Sequence, residues 1–301
     1  MVFNKLQASL QRKKTRRETV KAILANEQRN DDVVNIHRLD TKNIGDYYCA
    51  PHHYFDTLKD KKLDIFDNKS QDKAVTKNFT DTISNKAIIV GGGGLLNRNG
   101  FKLQMKLFET LAKGGDKKTV LWGVGHNEKS PKTYGKVVQY NVDVTKFGLA
   151  GTRDLSMPGD YVPCVSCLHT IFDQPFSETE EVGVIFHKDT MKKPQITGMF
   201  EGIPSTSNTT NLEELIAFIG KCNTIITDSY HAMYWTMLLG KRVAVVPNSS
   251  KFYDFKHTPI FTNFEDCLKD AKNAQTYTGV LEECREINHT FYEKVANYLN
   301  L

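Results

Sequence analysis

A polar turn between a strand-like run and a helix-like run carries the residues best suited to chemistry. The β-branched run Thr224–Thr227 predicts a strand. Asp228 and Ser229 follow it and are residue types that cap helices. Tyr230 and His231 would then lie on the first helical turn, where free N–H groups favour an anionic ligand. His231 could bind a phosphate if protonated or transfer protons if neutral; in the alternative interpretation Asp228 caps the helix and the two rings only pack.

A run of four glycines, Gly91–Gly94, follows the strand-like segment Ala87–Val90 and predicts a glycine-rich turn. Glycine permits positive φ and close approach of a ligand to backbone N–H groups, so Gly92 and Gly93 are candidate binding residues. Arg98 strengthens this hypothesis because a guanidinium binds carboxylate or phosphate through paired hydrogen bonds. The Lys-Ser/Thr of a P-loop and a spaced GxGxxG are both absent, which argues against a nucleotide phosphate. A tight structural turn is the alternative.

Two other predicted strand ends carry a polar residue. His126 comes just after the strand Thr119–Trp122 and its glycines, where it could act as an acid, a base or a hydrogen-bond donor. Arg153 follows the strand-like run that begins at Leu149 and could bind an anion. The alternatives are a structural histidine and an Arg153–Asp154 pair that orients the start of a helix.

The composition fits one large domain or two smaller ones. The chain has 301 residues, of which 40% are hydrophobic and 25% charged, and two domains are the expected arrangement. Its longest apolar runs, such as Val243–Val246, are far shorter than the roughly 20 residues that cross a bilayer. No apolar segment follows the basic N-terminus, so a secretory signal is not expected. We therefore expect a soluble cytoplasmic protein.

Positive charge is concentrated at the N-terminus. The formal net charge is +5, and residues 1–25 hold seven Lys and Arg residues against one Glu, so the rest is nearly neutral. A nearly neutral body argues against a nucleic-acid partner. The segment 1–30 is predicted to form a basic helix that rests on the inner face of an anionic membrane or on an assembly partner; the alternative is a solvated helix packed through its apolar side. That side would contain Phe3, Leu6, Leu10, Val20, Ile23 and Leu24.

Six cysteines are too few for a disulfide scaffold in a chain of this length and fit a reducing compartment. Cys164 and Cys167 have the CxxC spacing of zinc or redox sites. A structural zinc site usually needs a second such pair, and the sequence has none. We therefore expect no metal and no cofactor, and interpret the pair as small residues in a turn.

Strand-like and helix-like segments alternate along most of the chain, which predicts parallel sheets with crossover helices. The predicted fold is α/β, with one Rossmann-like domain in residues 31–172 and another in residues 178–276. The proline-containing segment Pro158–Gln174 is predicted to be a linker. A helix within residues 280–301 is predicted to pack back across both domains. Ligands of such sheets bind beyond the carboxyl ends of the strands, where all four polar turns fall.

The order of these motifs resembles the polysaccharide pyruvyl transferase family. The resemblance covers about residues 33–250, and no single motif in it is specific. The matching motifs are Asn43-Ile44-Gly45-Asp46, Gly91–Gly94, Trp122-Gly123-Val124-Gly125, Arg153-Asp154 and Ser229-Tyr230-His231-Ala232.

The resemblance implies a GT-B-like fold, with two parallel sheets facing a central cleft, the acceptor on the N-terminal side and the donor on the C-terminal side. It also implies transfer of a pyruvyl group from phosphoenolpyruvate to two hydroxyls of a sugar as a ketal. Family members typically have Ser-Arg-Leu-His in the late turn. This chain has Asp228-Ser229-Tyr230-His231, so Ser229 stands where the family has Arg. Arg98, Arg153, Lys188 and Lys251 are the cations that could compensate.

Ketal formation needs an acid for the enol methylene, a base for the sugar hydroxyls and cations for the departing phosphate. On that basis His231 is the predicted acid or phosphate contact and Asp46 the predicted base or hydroxyl-binding group. Arg153 and Arg98 are the predicted anion clamps. The expected partners are phosphoenolpyruvate and a saccharide acceptor, free or lipid-linked. The remaining substrate-binding candidates are Asn43, Gly92, Gly93, His126, Ser229, Tyr230 and Lys251.

Two other functions fit the same sequence features. One is a GT-B glycosyltransferase that uses a nucleotide sugar, although Glu265 and Asp266 lie too far past the last clear strand to hold the ribose. The other is a non-catalytic subunit of an exopolysaccharide assembly, docked by its basic N-terminal helix. Loss of the Arg in the late turn is the kind of change that lost catalysis would leave.

Overall fold

Two parallel sheets, connected by helices, form the core of the protein. The structure is a computed structural model that describes the backbone of residues 2–301 and the side chains from residue 7 onward. The first sheet has six strands in the order β2-β1-β3-β4-β5-β6. The elements of this first unit are α1 (Val2–Ala25), β1 (Val33–His37), α2 (Ile44–Tyr47), β2 (Lys62–Asp64), α3 (Lys73–Asn85), β3 (Ala87–Leu96), α4 (Lys102–Gly114), β4 (Thr119–His126), β5 (Leu149–Thr152) and β6 (Asp160–Tyr161).

The second sheet has five strands in the order β11-β10-β9-β7-β8. Every strand pair in both sheets is parallel. The chain therefore has the α/β fold with two Rossmann-like sheets that its sequence predicts. The elements of this second unit are β7 (Glu180–Phe186), α5 (Pro194–Thr197), β8 (Ser205–Ser207), α6 (Leu212–Lys221), β9 (Cys222–Thr227), α7 (Tyr230–Leu238), β10 (Arg242–Val245), β11 (Ile260–Phe261), α8 (Cys267–Asp270) and α9 (Val280–Leu299).

Alternate residues of the central strands enter different cores, because successive side chains of a strand point to opposite faces. In β3, Ile88 and Val90 pack with residues of α3 and α4 on one face. Ile89, between them, packs with Trp122 and with α9 on the other face. Both faces are covered, which explains why these strands are continuously apolar in the sequence.

The helix α9 belongs to both units. Phe291 and Val295 pack into the core that contains Trp122 of the first sheet. One end of the same helix, with Cys284, packs into the core of the second sheet. Inside this contact, Nε1 of Trp122 donates a hydrogen bond to Oδ1 of Asn288 at 2.9 Å, and both groups are buried. The helix therefore fastens the two sheets together.

The predicted turn at the four glycines is wrong, because β3 continues through them to Leu96. Gly91 pairs with Trp122, and Gly93 pairs with Val124. A Cβ on Gly92 would lie 2.3 Å from the carbonyl oxygen of Cys49. The absence of side chains lets the segment after β1 lie directly against the sheet. The adjacent strand β4 likewise continues through its own glycines to His126.

The predicted linker Pro158–Gln174 is a largely buried segment that crosses from the first unit to the second, and we call it the crossing segment. It contains β6 and two short 3-10 helices, and its Cys164 is 1% exposed. Tyr234 donates its hydroxyl to the carbonyl oxygen of Cys164 at 2.8 Å, and Trp235 donates its Nε1 to Oγ of Ser166 at 2.9 Å. These bonds tie the segment to α7. The helix expected after Arg153–Asp154 is also absent, since a loop leads from there into β6.

Where its side chains are described, the N-terminal helix α1 packs against the first unit through part of its apolar side. Ile23 is fully buried beside the first sheet, and Val20 packs against the same core. Leu10 and Leu24 are 57% and 47% exposed, so the packed contact does not extend over the whole of that side. The side chains of Phe3 and Leu6, which the prediction included, lie outside the described residues. Over the part of the chain that the structure describes, no helix combines the length and apolarity needed to cross a membrane.

Candidate functional site

Two adjoining cavities lie beyond the carboxyl ends of the strands. The inner cavity has a volume of about 30 Å³ and is lined by loops that follow strands of both sheets. The outer cavity has a volume of about 400 Å³ and is lined by the first unit. Both cavities have Asp46, Gly94 and Asn127 in their walls, so they adjoin. Converging strand ends are the position at which ligands of such sheets bind.

Most of the residues that the sequence singles out meet in these cavities. Gly92, Gly93 and Arg98 line the outer cavity. His126 lines neither of them. The predicted residues in the wall of the inner cavity are Asn43, Asp46, Arg153, Ser229, Tyr230, His231 and Lys251.

Arg153, directly after β5, has a buried guanidinium that lacks partners. The side chain is 1% exposed, and its Nε and Nη2 make no hydrogen bond with any described residue. The guanidinium carbon lies 4.0 Å from the centre of the Tyr230 ring, which stabilises the cation from one face. A buried charge without hydrogen-bonding partners is costly. This guanidinium is therefore the group in the cavity best suited to receive an anionic ligand.

His231 lies on the first turn of α7 and is 8% exposed. Its Nε2 is 3.6 Å from Sγ of Cys164. Its Nδ1 faces Gly45, where an added Cβ would lie only 2.1 Å away. Burial, with the positive charges of Arg153 and Lys251, lowers the pKa of His231 well below its usual value. The imidazole is therefore neutral, which suits hydrogen bonding and proton transfer better than ion pairing.

Asp46 is carried by the single helical turn α2. Its Oδ2 accepts a hydrogen bond from Nδ2 of Asn43 at 2.7 Å. Burial raises the pKa of Asp46, although the charges of Lys251, Lys188 and Arg153 oppose that shift. A carboxyl group that holds its proton more firmly than usual is typical of a site of acid–base chemistry.

Neither predicted cap of α7 acts through its side chain. Ser229 occupies the N-cap position but makes no capping hydrogen bond. Asp228 accepts hydrogen bonds instead from the backbone N of His187 and from Oγ1 of Thr190, both at 2.5 Å. Asp228 thus holds the loop that follows β7. Ser229 lines the inner cavity.

Lys251 lies in a short 3-10 helix, Ser250–Phe252, beside the inner cavity. Burial, together with the positive charges of Lys129, Arg153 and Arg98, lowers its pKa to about 7, while Asp46 opposes the shift. In the unfolded chain the pKa of a lysine is about 10.4. Burying the Lys251 ammonium therefore costs stability below pH 7, and this cost vanishes as the pH approaches about 10.4.

The charge on Lys251 predicts pH-dependent anion binding. We expect the affinity for sulfate, which keeps its charge over this range, to fall about tenfold between about pH 6 and about pH 9, as the ammonium loses its proton. Titration calorimetry of the wild type and Lys251→Met measures this. The variant should bind more weakly at the acid end and show a flatter profile, whereas the exposed Lys132→Met should match the wild type. Equal slopes for the wild type and Lys251→Met would contradict the assignment.

His126 joins the two units instead of facing the cavities. Its Nδ1 lies 2.7 Å from Oγ of Ser250. Its Nε2 lies 3.9 Å from Oδ1 of Asp154 and 3.6 Å from Oδ2 of Asp254. Ser250 and Asp254 follow β10 of the second sheet. The geometry fits the structural alternative for this histidine.

Two groups of side chains in the searched, described part of the chain could hold a metal ion: His37 with His52 and His53, and His126 with Asp154 and Asp254. Neither group includes the CxxC pair. Sγ of Cys164 lies 3.2 Å from Oγ of Ser166, and Cys167 is bonded elsewhere. Burial lowers the pKa of both His37 and His52 to about 3, so these imidazoles are neutral.

Three residues of the inner cavity were missed by the sequence analysis. They are Asn127, His187 and Asn208, and each directly follows a strand. His187 could have been found, because it directly follows a strand that the sequence predicts. Asn208 was harder to find because β8, which precedes it, has only three residues. Nearby, Nζ of Lys188 lies 3.5 Å from a carboxylate oxygen of Asp40 and bridges the two units.

No family model matches this chain, and the search of curated proteins found no match either. The groups in the two cavities are therefore the features of the protein that bear on its function.

Proposed function

We propose that the protein is a pyruvyl transferase that moves a pyruvyl group from phosphoenolpyruvate onto a sugar of a cell-surface polysaccharide or its precursor. In this proposal the two sheets have the GT-B-like arrangement, with the reaction at their converging strand ends. The observation that carries it is the buried, unpartnered guanidinium of Arg153, next to the neutral His231 and the proton-holding Asp46. An anionic donor and two groups for proton transfer are what ketal formation needs.

The inner cavity is too small for the whole donor, so we propose that the donor extends across both cavities. At about 30 Å³ the inner cavity holds a small functional group, not the whole of phosphoenolpyruvate. We place the donor carboxylate there, on Arg153 and Lys251, with the phosphate toward Arg98 and Lys129 in the outer cavity. Arg153 and Lys251 would then take over the role of the Arg that family members carry at the position of Ser229.

The pKa directions favour the reverse of the acid and base roles predicted from sequence. Asp46 holds its proton more firmly than usual, so it would protonate the donor methylene. His231 is neutral, so it would accept the proton of an attacking sugar hydroxyl. The first hydroxyl adds to the enol carbon as the methylene takes its proton. The second hydroxyl passes its proton to the carboxylate left on Asp46 and displaces phosphate from the same carbon, which closes the ketal. The phosphate leaves with the proton that His231 took from the first hydroxyl.

The lining of the outer cavity supports a saccharide as the acceptor. Phe66 and Phe101 stack in its wall with ring centres 5.0 Å apart and planes 14° apart. Oδ1 of Asn127 is buried without a partner among the described side chains, and it can accept a hydrogen bond from a sugar hydroxyl. The rest of the wall is rich in polar and charged side chains, which can bond to hydroxyl groups. The aromatic pair together with these groups supports a sugar acceptor, free or lipid-linked, in the outer cavity.

A direct assay of phosphate release tests the proposal. With phosphoenolpyruvate and a saccharide acceptor, we expect the wild type to release inorganic phosphate and His231→Gln to do so about 10²- to 10⁴-fold more slowly. The exposed His289→Gln is the matched control and should keep full activity. Release of UDP or GDP from a nucleotide sugar would instead identify a glycosyltransferase.

A thermal-shift screen tests donor binding before the acceptor is known. Phosphoenolpyruvate at millimolar concentration should raise the unfolding temperature of the wild type, because a ligand of the native state stabilises it. A shift with nucleotide sugars and none with phosphoenolpyruvate would overturn the proposal. No shift with either, combined with tight binding of an assembly partner, would identify a non-catalytic subunit.

A further inference from the structure

Three histidines gather beneath the segment that carries Asp46. His37 is the last residue of β1, and His52 and His53 lie in the 3-10 helix Pro51–His53. Nε2 of His37 lies 3.0 Å from Nε2 of His52. Each of the three rings offers one nitrogen, and these nitrogens all lie within 4.8 Å of one another. His37 and His52 are buried, and His53 is partly exposed, which leaves a route for an ion from solvent.

Two of the rings are already held by their other nitrogen. Nδ1 of His37 lies 3.3 Å from the carbonyl oxygen of Asp46, and Nε2 of His53 lies 2.9 Å from that of Tyr47. When these nitrogens donate their protons to the carbonyls, Nε2 of His37 and Nδ1 of His53 are left with free lone pairs. Metal-binding histidines characteristically donate their second N–H to a carbonyl or carboxylate in this way, which fixes the tautomer.

We propose that His37, His52 and His53 bind a divalent transition-metal ion, with zinc as the best match and water in the fourth position. Imidazole nitrogen is a preferred ligand of zinc, copper and nickel, and three histidines with one open position form a known type of zinc site. Two imidazole nitrogens on one tetrahedral zinc ion are about 3.4 Å apart, and the nitrogens here lie within 4.8 Å of one another, so no pair has to approach by more than about 1.4 Å. Without an ion, the contact between His37 and His52 is an N–H···N hydrogen bond.

The ion would affect the candidate site by holding in place the segment that carries Asp46. The carbonyls of Asp46 and Tyr47 that receive the histidine N–H groups belong to α2. Binding of the ion by all three rings would fix the segment from α2 to His53 against the end of β1. The inference does not depend on the proposed transfer reaction, and it departs from the expectation of no metal drawn from the sequence.

The second group that could hold a metal ion, His126 with Asp154 and Asp254, is a weaker candidate because its carboxylates already accept hydrogen bonds. Asp154 accepts hydrogen bonds from the backbone N of His126 and from the hydroxyl of Tyr140. Asp254 accepts two from Ser156. These carboxylates are satisfied by protein donors, and the cluster is explained as the joint between the two units.

Metal binding is measured by calorimetric titration of the chelator-treated full chain with zinc chloride. We expect one ion per chain, and a loss of affinity above about 100-fold in His53→Gln and in His52→Gln. The exposed His289→Gln is the matched control and should bind as the wild type does. The wild type loaded with Co²⁺ should show the visible absorption of a tetrahedral ion with nitrogen ligands, and His53→Gln should not.

The stability of the same proteins provides a second readout. Zinc should raise the unfolding temperature of the wild type and of His289→Gln, and leave that of His53→Gln unchanged. His53 is partly exposed, so this variant should fold, which circular dichroism of the metal-free protein verifies. Absence of stoichiometric binding in the wild type, or equal zinc affinity in the wild type and His53→Gln, would overturn the inference.

Discussion

Replacement of Arg153 by methionine is expected to lower the rate of the proposed pyruvyl transfer by about 10²- to 10³-fold, the usual effect of removing one preorganised donor to developing charge. The guanidinium is buried with two nitrogens unpartnered, so its hydrogen bonds are free for the donor carboxylate. Arg153→Lys keeps the charge but not the planar fork and should recover only part of the rate. The measurement is kcat/KM for phosphate release from phosphoenolpyruvate.

The same variant separates a ligand-binding role from a structural one. A buried cation with unsatisfied N–H groups is costly to the fold, so Arg153→Met should leave the unfolding temperature unchanged or raise it while activity is lost. The exposed Arg29→Met should change neither quantity, since Arg29 pairs only with Glu27 at the surface. Activity within twofold of the wild type in Arg153→Met would contradict the role proposed for this residue.

Gly45→Ala is the second substitution with a large expected effect. Its Cβ would lie 2.1 Å from Nδ1 of His231, so either the ring or the backbone of α2 must move. We expect a loss of about 1–3 kcal/mol in the free energy of unfolding, as for other overpacked sites. We also expect a fall in transfer rate of about 10²-fold, because His231 and Asp46 would both be displaced.

Gly100→Ala is the matched control for this prediction. No heavy atom lies within 4 Å of the Cβ it would add, and its φ is not positive. Urea unfolding and the phosphate-release assay should give wild-type values for this protein. If Gly45→Ala also behaved as the wild type, the close contact between α2 and His231 would be wrong.

The parallel sheets and the polar residues at their strand ends could be predicted because both depend on local patterns. Strand β9 is a β-branched run with polar residues directly after it, and this pattern places Ser229, Tyr230 and His231 at a strand end. Arg153 was found in the same way, at the end of β5. The shared edge of parallel strands then brings such residues together.

The features that were missed depend on contacts between distant segments. Four successive glycines in β3 are tolerated because Trp122 and the backbone of Cys49 lie where side chains would be. The crossing segment around Cys164 looked like a linker because the hydrogen bonds that bury it come from α7, about 70 residues later. The pairing of His37 with His52 is equally invisible in a single sequence.

The position of α9 near the end of the sequence determines when the first sheet can finish folding during synthesis. Trp122 belongs to the first sheet, yet its buried N–H is satisfied by Asn288, and its core is filled by Phe291 and Val295. During synthesis the first sheet therefore emerges from the ribosome before the helix that completes one of its faces. Part of its apolar surface stays exposed until the whole second sheet has been translated, and exposed apolar surface of this kind is prone to aggregation.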